Sequence, residues 1–172
     1  MVDYNTLLDN NPEFDDNKLK LLESLVEIFY KTTNSNERTV ANNYLNQYKH
    51  LENSWQHCDK ILTKSSHMLT KNFAASMLEE MIKTKFNLLS NDQKLVIRNF
   101  VIEILIKTIN ENSNNMTDQV NSLVNKLNLT VVAIAKSEWS TTWPTFMSEI
   151  CSAGKTSPEL CENNLKILIA LK

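Results

Sequence analysis

Histidine and cysteine are the residues of this chain best suited to acid–base, nucleophilic or metal chemistry. The chain holds three of each: His50, His57, His67, Cys58, Cys151 and Cys161. None of the histidines lies in a His-Glu-x-x-His or Glu-x-x-His pattern, which excludes the zinc-peptidase and di-iron signatures found on helices. His57 and Cys58 are adjacent, so on a helix their side chains point about 100° apart and cannot act as a nucleophile and its base. We therefore predict that the chain is not an enzyme.

Other ligand-binding patterns are also missing from the sequence. A single glycine cannot build a glycine-rich phosphate loop. The cysteines are odd in number and lack metal-ligand spacing, which indicates reduced thiols rather than a zinc site or a disulfide framework. Glu79 and Glu80 diverge on a helix and are interpreted as solvated surface charge. We predict neither a cofactor nor a metal.

Composition favours an all-α protein. The chain has 172 residues, of which 42% are apolar, with one glycine and three prolines, too few for the many turns of a β-sandwich or barrel. Its 18 basic and 20 acidic residues give a net charge of −2, which does not suggest nucleic-acid binding. No apolar run reaches the roughly 18 residues of a membrane span, so we predict no membrane insertion.

Apolar periodicity predicts eight helices after an acidic leader. The leader covers residues 1–17 and is predicted to be loose, with Pro12 and Phe14 as its anchors. The first two predicted helices cover 18–33 and 37–50, and the next four begin at the N-caps Ser54, Thr70, Ser90 and Thr117. The seventh runs from Trp143-Pro144 to a C-cap at Gly154, and the eighth runs from Ser157-Pro158 onward. The fifth helix is apolar all round and is predicted to be covered on every side.

The spacing of these helices indicates a repeat. Taken as four pairs, their first helices begin near Lys18, Ser54, Ser90 and Thr142, at intervals of roughly 36, 36 and 52 residues. Such intervals bracket the period of about 40 residues of HEAT repeats. We predict an all-α solenoid of about four HEAT-type helical hairpins, with an ordinary helical bundle as the alternative.

Particular stretches resemble a known family. They are EWSTTWPTFMSEI at 138–150, KTSPELCENNL at 155–165, MIKTKF at 81–86, LIKT at 105–108 and KLN at 126–128. They are similar to the N-terminal HEAT repeats of export receptors in the importin-β (karyopherin) family, and the resemblance runs from about residue 19 onward. Ser140 departs from the proline usual there. Since such receptors are far longer, the resemblance implies an N-terminal HEAT-repeat fragment covering 18–172.

The resemblance also implies partners and a function. In this family the N-terminal repeats bind the GTP form of the small GTPase Ran through the inner helix of each pair. The whole receptor also binds cargo with leucine-rich export signals and nucleoporins, and it shuttles between nucleus and cytoplasm through the nuclear pore. The cargo groove lies in middle repeats, so this chain is expected to bind Ran-GTP without carrying cargo itself.

Helical angle selects the residues expected to contact Ran. On the second helix of each of the first three pairs, the side opposite the apolar stripe is polar. The candidates there are Asn43, Asn46, His50, Ser76, Glu80, Lys83, Asn87, Asn125, Leu129 and Lys136. Leu129 is an apolar side chain on an otherwise polar side, which suits a protein contact.

One alternative and one further expectation accompany this interpretation. The polar sides of these helices could simply be solvated, in which case the chain is a passive helical scaffold for protein assembly without dependence on Ran. In addition, apolar residues of the eighth helix, including Leu165 and Ile169, lack a following repeat in this sequence. We expect self-association through that end at high concentration.

Overall fold

The computed structural model describes residues 3–9 and 13–172, and all the regular structure in that part of the chain is helical. Its eight α-helices are α1 (Asp16–Lys31), α2 (Ser35–Lys49), α3 (Cys58–Lys64), α4 (Met68–Lys85), α5 (Asn91–Asn112), α6 (Asp118–Glu138), α7 (Phe146–Ala153) and α8 (Pro158–Ala170). They confirm the predicted all-α class and agree with a helical-repeat protein. None of them is long and apolar enough to cross a bilayer.

The chain divides into two compact units, an N-terminal unit (Met1–Met77) and a C-terminal unit (Leu78–Lys172), and α4 runs through the division. The N-terminal unit is built on an α1–α2 hairpin. Asp15 caps α1 by accepting from Lys18 N, and Asn34 caps α2 by accepting from Asn36 N and Glu37 N. The apolar periodicity that predicts these helices is confirmed by the burial of Leu22, Leu25, Val26, Ala41, Leu45 and Tyr48. It is wrong at Val40, which the pattern places on the apolar face of α2 but which is 50% exposed.

The described part of the leader is folded, so the prediction of a loose leader is wrong there. Tyr4–Leu8 is a short 3-10 helix that contacts α1 and α2, and Leu7 is buried. Asp9 Oδ1 lies 2.5 Å from the ammonium of the buried Lys18. Phe14 is buried as expected, whereas Pro12 lies outside the described residues. Sequence reasoning missed this packing because the segment is too short to show helical periodicity.

Ser54 and Thr70 are not N-caps, contrary to the prediction. Ser54 begins a short 3-10 helix ahead of α3, and its hydroxyl donates backward to the main-chain oxygens of Lys49 and Leu51. Thr70 lies inside α4, two residues after the helix begins, and is fully buried with no hydrogen-bond partner for its hydroxyl.

His57 and Cys58 have separate partners, as their divergence on a helix predicts. His57 Nδ1 lies 2.9 Å from the Tyr48 hydroxyl, and the Phe14 ring stacks on the imidazole at 4.8 Å. The Cys58 thiol donates to Ala74 O at 3.4 Å. Burial raises the pKa of both the Tyr48 hydroxyl and the Cys58 thiol, so both keep their protons. The group is a packed aromatic and thiol core.

The C-terminal unit is built on an α5–α6 hairpin against which α8 packs. Ser90 forms a capping box with Gln93 at the start of α5, and Thr117 caps α6 by accepting from Val120 N, both as predicted. The expectation that α5 is covered on every side is wrong, because Leu95 is 44% and Val96 68% exposed. Only the side carrying residues such as Val101 and Leu105 is buried.

The last two helices begin and end close to the predicted positions. Helix α7 starts at Phe146, later than Trp143-Pro144, because residues 143–145 form a turn. Gly154 is its C-cap, but with φ −63° it does not use the left-handed conformation that favours glycine. Ser157 caps α8 and Pro158 occupies its first turn, which confirms that prediction.

A buried pair of amides joins α6 to α8. Asn128 Nδ2 donates to Asn163 Oδ1 at 2.8 Å, and Asn163 Nδ2 donates to Asn128 Oδ1 at 2.9 Å. Both residues are about 95% buried. Because each amide satisfies the other, the pair is stable only when the two helices keep this register.

We expect Thr70→Val to stabilise the protein by about 1 kcal/mol, because valine keeps the shape and removes a buried hydroxyl that has no partner. Thr130→Val is the matched control, since Thr130 is equally buried but donates to Lys126 O at 2.9 Å. That variant should lose stability. Urea denaturation of both variants measures the difference, and equal losses of stability would contradict the interpretation of Thr70.

The amide pair predicts a non-additive effect. Asn128→Leu or Asn163→Leu alone should cost about 2 kcal/mol or more, because each leaves the other amide buried without a partner. The double substitution should recover part of that loss. A double-mutant cycle by urea denaturation measures the coupling, and strictly additive losses would show that the two amides do not depend on each other.

Candidate protein-binding surface

In the N-terminal unit, three of the predicted contact residues lie along one side of α2. Asn43, Asn46 and His50 are spaced by three and four residues and are all exposed, with His50 at the helix end. The His50 ring donates from Nδ1 to Asn46 O at 2.6 Å, which holds the imidazole against the last turn. This side of α2 presents amide and imidazole groups that can donate and accept hydrogen bonds.

Ser76 is the fourth candidate in this unit and differs from the others. It is half-buried, and its hydroxyl donates to Asn72 O at 3.0 Å within α4. The hydroxyl is therefore already used inside its own helix, as is common for serine in helices. Ser76 offers less to a partner than the α2 residues do.

In the C-terminal unit, the end of α4 and the short helix after it carry three exposed candidates: Glu80, Lys83 and Asn87. Lys83 forms an ion pair with Glu79 at 2.5 Å, so this side of the helix has both signs of charge. Asn87 lies in the short 3-10 helix Phe86–Leu88 that follows α4, and its Oδ1 accepts from the Ser137 hydroxyl at 2.8 Å. That bond places the end of α4 beside the last turn of α6.

The remaining candidates, Asn125, Leu129 and Lys136, lie on the solvent side of α6. Leu129 is 47% exposed, whereas its neighbours Asn128 and Thr130 are buried. The same helix carries Ser137, whose hydroxyl donates to Asn87. The ten candidates form two sets, one in each unit.

A buried ionic cluster that sequence reasoning missed holds the end of α6. Glu138 is 3% exposed, and its carboxylate lies 3.9 Å from Lys94 Nζ and 3.8 Å from Arg98 Nη1. Arg98 also stacks on the Trp143 ring at 4.8 Å and donates to Thr142 O. In the sequence Arg98 only interrupts an apolar run. The cluster forms because α5 and α6 pack side by side, which brings Lys94 and Arg98 to Glu138.

Glu149 is the ionisable group most clearly perturbed beside this cluster. Thr145 Oγ1 donates to its Oε1 at 2.5 Å and Trp143 Nε1 to its Oε2 at 2.9 Å. These bonds, with a smaller contribution from the charge of Arg98, lower the pKa of the carboxyl below its ordinary value of 4.5. The carboxylate form thus fixes Trp143 and the start of α7.

The candidate residues carry hydrogen-bonding, charged and apolar groups and show no metal-binding arrangement in the described part of the chain. Across residues 3–9 and 13–172, no three histidine, cysteine, aspartate or glutamate side chains come together in a way that could hold a metal ion. What the candidate residues offer is exposed amide, charged and apolar groups on helices, the kinds of group that bind another protein.

Glu149 predicts a pH dependence of stability. Because its folded-state pKa is lowered, it stabilises the protein above its ordinary value of 4.5 and that stabilisation is lost as the pH falls through the folded value. Glu149→Gln should therefore show a shallower loss of stability between neutral pH and acid, followed by tryptophan fluorescence in urea. The control is Glu111→Gln on exposed α5 surface, and parallel curves for Glu149→Gln and the wild type would contradict the prediction.

Two protein-family models match the parts of the chain that carry the candidate residues. Residues 41–107 match the importin-β N-terminal domain, and residues 120–172 match the exportin 1-like protein family. The first match begins within α2 and ends within α5. The second begins in the first turn of α6 and continues past the end of α8. All the candidate residues lie within one or other match.

Individual relatives agree with the family matches. The chain is 37% identical to exportin-1 of Schizosaccharomyces pombe over 86% of its length, and 36% identical to exportin-1 of Drosophila melanogaster over 94%. It is 34% identical to exportin-1 of Dictyostelium discoideum over 87%. The chain spans about 14–15% of the length of these relatives. These matches show that the chain consists largely of an importin-β N-terminal domain followed by an exportin 1-like region, and that it is similar over most of its length to exportin-1 proteins.

Proposed function

We propose that residues 18–172 are N-terminal HEAT repeats that bind Ran in its GTP form, as part of a nuclear export receptor for proteins with leucine-rich export signals. The observation that carries the proposal is the match of residues 41–107 to the importin-β N-terminal domain, because that stretch contains the α2 and α4 candidates. The exposed side of α6, with Leu129 among polar residues, supports it from the second matched region.

The proposed mechanism involves binding alone. Members of this family are transport receptors rather than enzymes. The nucleotide state of Ran would change its affinity for the receptor, and by linkage Ran and cargo would change each other's affinity. Cargo and nucleoporins would bind regions of the receptor outside this chain, and the receptor would shuttle between nucleus and cytoplasm through the nuclear pore.

The alternative is a passive helical scaffold. It is favoured only by the observation that several candidates already have partners within the protein, such as Lys83 with Glu79 and Asn87 with Ser137. A scaffold would bind its partners without regard to the nucleotide on Ran. The two functions therefore differ in one measurable property.

Binding of the chain to Ran loaded with GTP or GDP tests the proposal. We expect GTP-loaded Ran to bind at least about fivefold more tightly, the lower end of ordinary allosteric coupling. Leu129→Asp should weaken that binding, because it places a charge on the apolar contact. Val96→Asp is the control, since Val96 is also an exposed apolar residue but lies on α5, outside the candidate set. Equal binding of the two nucleotide forms, or none, would overturn the proposal.

A further inference from the structure

An open pocket in the C-terminal unit extends the α6 surface onto α8. It has a volume of about 290 Å³ and is lined in part by Asn125, a candidate contact residue, and by Glu159, Glu162 and Lys166 of α8. None of the Ran-contact residues expected from the sequence lies on α8. The pocket is larger than the roughly 150 Å³ that holds a benzene ring, so a long side chain can enter it.

The inner part of the pocket is apolar. Ile109 and Val124 line it and are each 3% exposed, and Met116 lies beside them at 38%. Such a lining suits the hydrocarbon stem of a long side chain, which can pack on apolar surface while its polar end stays near solvent.

The outer part of the pocket is negatively charged. Lys166 pairs with Glu162 at 2.9 Å, and this pairing lowers the pKa of the Glu162 carboxyl. In the described ranges no lysine or arginine forms an ion pair with Glu159, whose charge is favourable at the start of α8. Two carboxylates against one ammonium leave one negative charge in excess, which favours a cation.

The remaining polar groups favour a cation with several donors. Asn121 donates from Nδ2 to Met116 O at 3.3 Å, which leaves its Oδ1 as an acceptor. Asn125 also lines the pocket. A planar guanidinium can donate to a carboxylate and to amide oxygens at the same time, whereas a lysine ammonium is a compact point charge.

We propose that this pocket receives an arginine side chain presented by the protein that binds the α6 surface. The stem lies on Ile109, Val124 and Met116, and the guanidinium donates to Glu159 and to the amide oxygens beside it. The proposal rests on the proposed function in one respect only, that the partner is Ran-GTP. It extends the contact from α6 to α8.

The first test needs no partner protein. The ¹⁵N-labelled chain is titrated with N-acetyl-arginine methylamide and followed by NMR, with the norleucine analogue as a control of similar stem length and no charge. We expect the arginine compound to shift the side-chain amides of Asn121 and Asn125, and the shifts to be lost in Glu159→Gln/Glu162→Gln. Absence of local shifts, equal shifts with norleucine, or shifts that persist in the double variant would overturn the proposal.

The second test separates this inference from the proposed function. Glu159→Gln/Glu162→Gln should weaken binding of Ran-GTP by about fivefold, the effect of a partly exposed ion pair, whereas Glu111→Gln on α5 should leave it unchanged. Wild-type binding retained in full by the double variant would refute the pocket and leave the proposed function intact. If the wild-type chain binds no Ran, the proposed function fails, and the arginine titration alone decides whether the pocket takes a guanidinium.

Discussion

Glu138 joins three elements of the C-terminal unit through its main chain and its buried carboxylate. Its main-chain oxygen accepts from the amides of residues 141, 142 and 143, and its side chain lies between the cations of Lys94 and Arg98. One residue thus ends α6, shapes the turn before α7 and joins both to α5. A carboxylate taken out of water is stable only with such partners, so this arrangement holds the helices in a single geometry.

The positions of the candidate residues near the end of α6 depend on this arrangement. Ser137 and Lys136 immediately precede Glu138, and Ser137 bonds to Asn87 at the end of α4. Further along the unit, the Asn128–Asn163 pair holds α8 against α6, which brings Glu159 and Glu162 to the same pocket as Asn125. The exposed Ser137–Asn87 bond and the buried amide pair therefore decide which exposed groups of these helices become neighbours.

Several elements were predictable from the sequence for local physical reasons. The caps Ser90, Thr117 and Ser157 are each followed by a helix whose first free amides need an acceptor. The same reasoning failed at Ser54 and Thr70, since a serine or threonine before an apolar run is also compatible with a hydroxyl inside the helix. A different expectation, that α5 is covered on every side, failed at Leu95 and Val96, because both apolar side chains are exposed.

Sequence alone determined the helical class, the outward side of α2 and α6, and the family resemblance, because each depends on residue types at short spacing along one chain. Tertiary structure alone decided the packing of the Tyr4–Leu8 segment, the Glu138 cluster, the amide pair and the pocket beside Asn125. Each of these joins residues that are far apart in sequence. Their partners are chosen by helix packing and by the cost of burying polar groups unpaired, which no local pattern records.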